Sequence, residues 1–73
     1  MKLPQDMLDQ YGVVKQELIM GRVAPETIRM MLYKMILGLP PGDLKTGAFY
    51  ELATCSDQTA RDMLIKNITD LGA

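Results

Sequence analysis

Histidine and tryptophan are absent from this sequence, cysteine occurs once, and only four aromatic residues stand among 73. Each shortage closes off a class of function. Without histidine the usual zinc and iron sites cannot be built, and the commonest general base is missing. A lone Cys55 forms no intrachain disulfide and has no neighbouring base to activate it, so it reads as a small apolar filler. No apolar run approaches the ~18 residues needed to span a bilayer, and the opening Met-Lys-Leu-Pro-Gln-Asp lacks the apolar segment of an export signal. A lone thiol without an export signal makes the cytoplasm the expected compartment.

Charge of one sign is also in short supply. The formal net charge is −1, which leaves no electrostatic footprint for nucleic acid. Its distribution is uneven. Arg22, Arg29 and Lys34 against Glu26 make the middle third basic, while Asp6, Asp9 and Glu17 before it, and Asp43, Glu51, Asp57, Asp62 and Asp70 after it, make both ends acidic. Paired carboxylates occur as Asp6/Asp9, in an opening helical turn where acids complement the dipole, and as Asp57/Asp62, which do not share a helix face. Neither arrangement is acid/base machinery. Gly38-Leu39-Pro40-Pro41-Gly42-Asp43-Leu44-Lys45-Thr46 fails as a phosphate-binding loop, because Asp43-Leu44 separate the glycine from the lysine and two prolines remove cradle N–H groups. No cofactor, metal or catalytic residue is expected, and the chain is not read as an enzyme.

Apolar surface is what the chain has in surplus: 48% of its residues are hydrophobic, and seven are methionine. Strand-like alternation is nowhere to be found, and the periodicity predicts an all-α single domain over 1–73, a compact bundle of three to four short helices at about 5–20, 25–37, 43–54 and 56–71. Pro4 and Gln5-Asp6 open the first helix, whose inward stripe is Leu3, Met7, Tyr11, Val14 and Leu18, with Leu8 beside it. Gly12 interrupts it, either to admit a neighbouring helix or with no role at all. The short Gly21–Ala24 connection predicts that the first two helices form an antiparallel hairpin. In the third helix Asp43 is the expected N-cap and Leu44, Ala48, Leu52 and Cys55 the stripe, with Phe49 and Ala53 alongside. Ser56 or Asp57 caps the fourth, which turns Ala60, Met63, Leu64, Ile68 and Leu71 inward and ends at Gly72, with a break favoured between helices three and four.

The helix over 25–37 is the best punctuated. Pro25 suits its first position, Glu26 its positive end, and Gly38, expected to be left-handed, followed by Pro40-Pro41, closes it. Wound at about 100° per residue, Ile28, Met31, Leu32, Met35 and Ile36 form one broad stripe. Met30, Tyr33 and Leu37 form a second, nearly opposite. A surface helix needs only the first. The second predicts burial inside a bundle or against a partner, so Met30, Tyr33 and Leu37, rimmed by Arg29, Lys34 and Arg22, are the candidate partner-binding residues, with Val13 and Ile65 as further candidates. A chain this short also has a marginal core and gains stability from association. The expected function is therefore a small non-enzymatic interaction module (a regulator, adaptor, chaperone-like protein or inhibitor), most simply a homodimer.

Two resemblances bear on this reading. The segment 51–72 looks like a helix-turn-helix of the winged type: Leu52-Ala53 ends one helix, Ser56 opens the next, Thr59 and Arg61 take the groove-facing places, and Leu71-Gly72 closes the unit. This implies, as the alternative, a DNA-binding transcriptional regulator. The interval from Ala53 to Ser56 is shorter than those motifs use, and Asp57, Asp62 and Asp70 face phosphates poorly. Separately, Tyr11-Gly12-Val13-Val14 through Ile36, with Gly21-Arg22 between the helices, is similar to the helical hairpin of small enterobacterial biofilm and acid-resistance connector proteins. That likeness has no counterpart for the fourth helix.

Overall fold

A computed structural model describes residues 4–73; Leu3, expected on the first helix's inward stripe, lies outside them. Four helices follow in order: α1 (Gln5–Ile19), α2 (Pro25–Leu37), α3 (Asp43–Thr54) and α4 (Asp57–Asp70), with no strand among the described residues. The all-α bundle and the break between α3 and α4 are as the periodicity predicts. No helix among the described residues is long and apolar enough to cross a membrane.

Local chemistry sets most helix ends. Pro4 precedes α1 and Pro25 opens α2. Ser56 accepts the Thr59 N–H at 3.1 Å and starts α4, satisfying one of the amides a helix start leaves open. At the far end of α1, the Arg22 amide bonds Glu17 O at 2.9 Å and the Gly21 amide bonds Leu18 O at 3.1 Å, with Gly21 at φ +72°. The same pair of bonds recurs from Ala73 to Ile68 and from Gly72 to Thr69 at the end of α4. This is the Schellman closure, which uses up carbonyls that the helix cannot.

Two ends differ from expectation. Gly38 is not left-handed: at φ −77° it continues α2 into a tighter turn, where its amide bonds Met35 O and the Leu39 amide bonds Ile36 O. The positive φ falls four residues later, on Gly42 at +147°. After Pro40-Pro41 has forced an extended path, the chain needs one residue that tolerates that angle before it can coil again. Gly42, not Asp43, therefore holds the cap position of α3. Asp43 becomes the first helical residue, where its carboxylate complements the dipole.

The packing order differs from the chain order. α2 packs on α3 and α4, and α4 packs on α1 and α2. Laid side by side the helices run α1, α4, α2, α3. The predicted α1–α2 hairpin, and with it the likeness to the connector-protein hairpin, does not form as a packed pair. The reason lies in α4, whose buried row Ala60, Leu64 and Ile68 is flanked by half-buried Met63 and Ile65. That apolar arc is broad enough to take a helix on either side.

Ile28, Leu32 and Ile36 of α2 meet this row, joined by Leu18 and Leu52, and these eight are the buried residues among those described. The outcome is flat: the principal extents are 31 × 29 × 15 Å and the radius of gyration is 12.3 Å, against about 11 Å for a rounder domain of this length. Flatness accounts for four residues predicted on inward faces. Leu44 is 77% exposed, and Met7, Leu71 and Ala53 are exposed too, for want of a second layer. Gly12 admits no neighbour: a Cβ there would meet nothing within 4 Å.

Candidate interaction surface

α2 shows two apolar faces, as its sequence does. Ile28, Leu32 and Ile36 are buried, while Met30, Tyr33 and Leu37 on the far side are 58%, 49% and 49% exposed. The second row is thus a half-exposed surface feature among the described residues. It has one internal support. The rings of Tyr33 and Phe49 lie 5.3 Å apart at 46°, a tilted contact that holds the tyrosine in place as part of a wider patch shared with α3. Lys34 stands exposed at the edge of the row and makes no hydrogen bond or ion pair among the described residues.

Arg29 is placed differently from Lys34. Its guanidinium reaches across to the α3–α4 junction, donating from Nη1 to Leu52 O at 2.7 Å and from Nη2 to Cys55 O at 2.9 Å and Asp57 Oδ1 at 2.9 Å. Cys55 Sγ lies 3.8 Å from Nη1. The hydrogen bond to Asp57 pushes the Arg29 pKa up, against the opposing pull of desolvation, and the thiol adds to the rise. One planar cation therefore closes the carbonyl end of α3 and the acidic start of α4 together. Its partners lie 23 to 28 residues away, so no local pattern announces them. The sequence alone offers Arg29 only as a rim charge of the outer row.

The remaining candidates do not gather around the row. Arg22 pairs with Glu17 at 3.7 Å in an exposed contact of small worth. Ile65 packs against the core. Val13 is exposed on α1 beside Gly12, Gln16 and Gly72-Ala73, around a separate shallow hollow.

A second apolar feature comes from the packing order. Because α1 and α2 both lean chiefly on α4, a furrow remains between them. It consists of three hollows in series, all touching Tyr11. The first, about 220 Å³, is bounded by Met7, Val14 and Met31. The second, about 320 Å³, is bounded by Met31, Lys34 and Met35. The third, about 550 Å³, is bounded by Met35, Leu39, Met63, Asn67, Asp70 and Leu71. Four of the seven methionines line it.

Around the helix-turn-helix-like segment, Arg61 donates to Gln58 at 2.8 Å and Gln58 to Asp62 at 3.1 Å. The exposed side of α4 thus mixes Gln58, Asp62, Lys66 and Thr69, and its apolar side is the centre of the core. No group of acids, cysteine or histidine able to hold a metal ion exists among the described residues. No protein-family model matches this chain, and neither a curated protein nor a solved structure matches it.

Proposed function

We propose that this chain is a small non-enzymatic protein–protein interaction module, of the regulator, adaptor, chaperone-like or inhibitor class, and that it pairs with a second copy through the outer row of α2. The observation that carries this reading is the row itself. Met30, Tyr33 and Leu37 lie half-exposed in line on the helix that also supplies three of the eight core residues. A rigid helix braced by Phe49 presents an aromatic anchor between two aliphatic neighbours, the composition in which binding energy concentrates.

The accessible area is 5210 Å², more than the ~4,500 Å² of a rounder monomer of this mass, as the flat shape requires.

Light scattering over a range of concentrations tests the pairing. Tyr33→Ala is expected to weaken self-association about 30-fold, the loss that follows from truncating an anchor worth ~2 kcal/mol, while far-ultraviolet circular dichroism stays helical. A chain that is monomeric at every concentration, or one whose association ignores Tyr33→Ala, refutes the pairing. The DNA-binding alternative is met with the same sample and nonspecific duplex at low salt: binding that falls steeply with salt and is abolished by Arg61→Ala would replace this proposal.

A further inference from the structure

A charge stands on α2 at either side of Met30, and we infer that the outer row pairs two copies in a single orientation. In it α2 of one copy runs antiparallel to α2 of the other, the two-fold axis passes at Met30, and Glu26 of each copy meets the partner's Lys34. This inference rests on the pairing proposed above and adds to it an orientation, a register and the residue Glu26.

The ridge carries the argument. Glu26, Met30 and Lys34 follow one another at four-residue steps, and all three are exposed. Residues so spaced form one i±4 ridge along a helix, and such ridges interdigitate when two helices cross at about −50°, the commonest class of helix packing. This ridge is its own complement. Turned about Met30, its acidic end falls on the basic end of a second copy, and the contact occurs twice, as an isologous interface requires. A parallel arrangement instead sets Glu26 against Glu26 and Lys34 against Lys34, which like-charge repulsion opposes. The antiparallel register also brings Tyr33 beside the partner's Met30, where a thioether meets an aromatic ring favourably.

The surrounding charges leave this choice open to no competitor. Neither Glu26 nor Lys34 makes a hydrogen bond or ion pair among the described residues. The nearby cations are engaged: Arg29 in its clamp, Lys45 on Leu37 O at 3.3 Å and Arg22 on Glu17. On α3, Thr46, Phe49, Tyr50 and Ala53 recur at i, i+3, i+4 and i+7, a second stripe joined to the row by the Tyr33–Phe49 contact. Tyr50 in it is 72% exposed, and no member is charged. An occupant of this face therefore has one acid and one base to satisfy, and the chain's own ridge supplies both in the required order.

The test is a charge-exchange cycle read by sedimentation equilibrium at low salt. Glu26→Lys and Lys34→Glu are each expected to weaken self-association about tenfold, the scale of two rim ion pairs lost. The double variant carries the same ridge with its signs exchanged, so it is expected to return to within about twofold of the unsubstituted chain. Circular dichroism at 222 nm checks that all three variants stay helical. As a second readout, Met30→Cys on a Cys55→Ser chain is expected to cross-link to itself under mild oxidation, because residues at the axis face each other closely enough for a disulfide; Leu37→Cys, at the end of the row, is not. A dimer indifferent to both single substitutions, a double variant as weak as the singles, or cross-linking through Leu37→Cys and not Met30→Cys would each overturn this orientation and leave the pairing standing. An unsubstituted chain that is monomeric at every concentration removes the pairing itself, leaves the ridge to a different protein, and overturns this inference with it.

Discussion

Two glycines inside helices give the sharpest test of the packing. Gly12 is in the middle of α1 and Gly47 in the middle of α3. An added Cβ would meet nothing within 4 Å at either place, and neither residue has the positive φ that would strain an alanine. In a helix interior glycine is worse than alanine by about 0.5–1 kcal/mol, largely through the freedom it regains on unfolding. The sites lie on α1 and α3, at opposite ends of the packing order, so their effects should add. Gly12→Ala with Gly47→Ala is expected to stabilise the monomer by about 1–2 kcal/mol. Unfolding entropy of ~2.1 cal/mol/K per residue gives ~0.15 kcal/mol/K for a chain of this length, so the melting temperature should rise by about 7–13 °C. Thermal unfolding followed at 222 nm, on the Tyr33→Ala background so that association does not contribute, reads the shift directly. An unchanged or lowered melting temperature would refute the reasoning, because it would mean that another part of the chain approaches one of these helices where open solvent is described.

The clamp and the cap make further predictions. Arg29→Gln is expected to lower the melting temperature and to speed amide exchange through residues 55–60, and Arg29→Lys to recover little of the loss, since an ammonium cannot reach two carbonyls and a carboxylate in one plane; a lysine variant that melts like the parent would show that charge alone suffices. Ser56→Ala removes the acceptor of the Thr59 amide and should cost about 1 kcal/mol in urea unfolding, with the fastest-exchanging amides of α4 moving to its first turn.

Helix positions were legible because their signals are local. Pro25, Ser56, Gly21 and Gly72 act within one turn of where they stand, and the apolar periods of α2 and α4 survive in the packed molecule. Which helix meets which was not legible. The short connection after α1 suggests a hairpin, yet the breadth of the apolar arc on α4, Met63 through Ile65, outweighs chain proximity. The outer row of α2 was readable as a second stripe. The furrow was not, because it belongs to no element: it is the space left when α1 and α2 share α4. The clamp made by Arg29 is hidden for a similar reason, since its acceptors come from a junction more than twenty residues further on.

That packing order has a consequence for how the chain folds. α1 and α4 lie far apart in the sequence yet pack together, and Lys15 reaches Ala73 O across 58 residues at 3.4 Å. α2 and α3 can pair across a short connection, while Tyr11, Val14 and Leu18 gain their packed neighbour only when α4 is in place. The first helix waits for the last. A refolding chain in which α4 has not yet docked therefore presents the apolar side of α1 to other chains, so misassembly should rise with protein concentration during refolding.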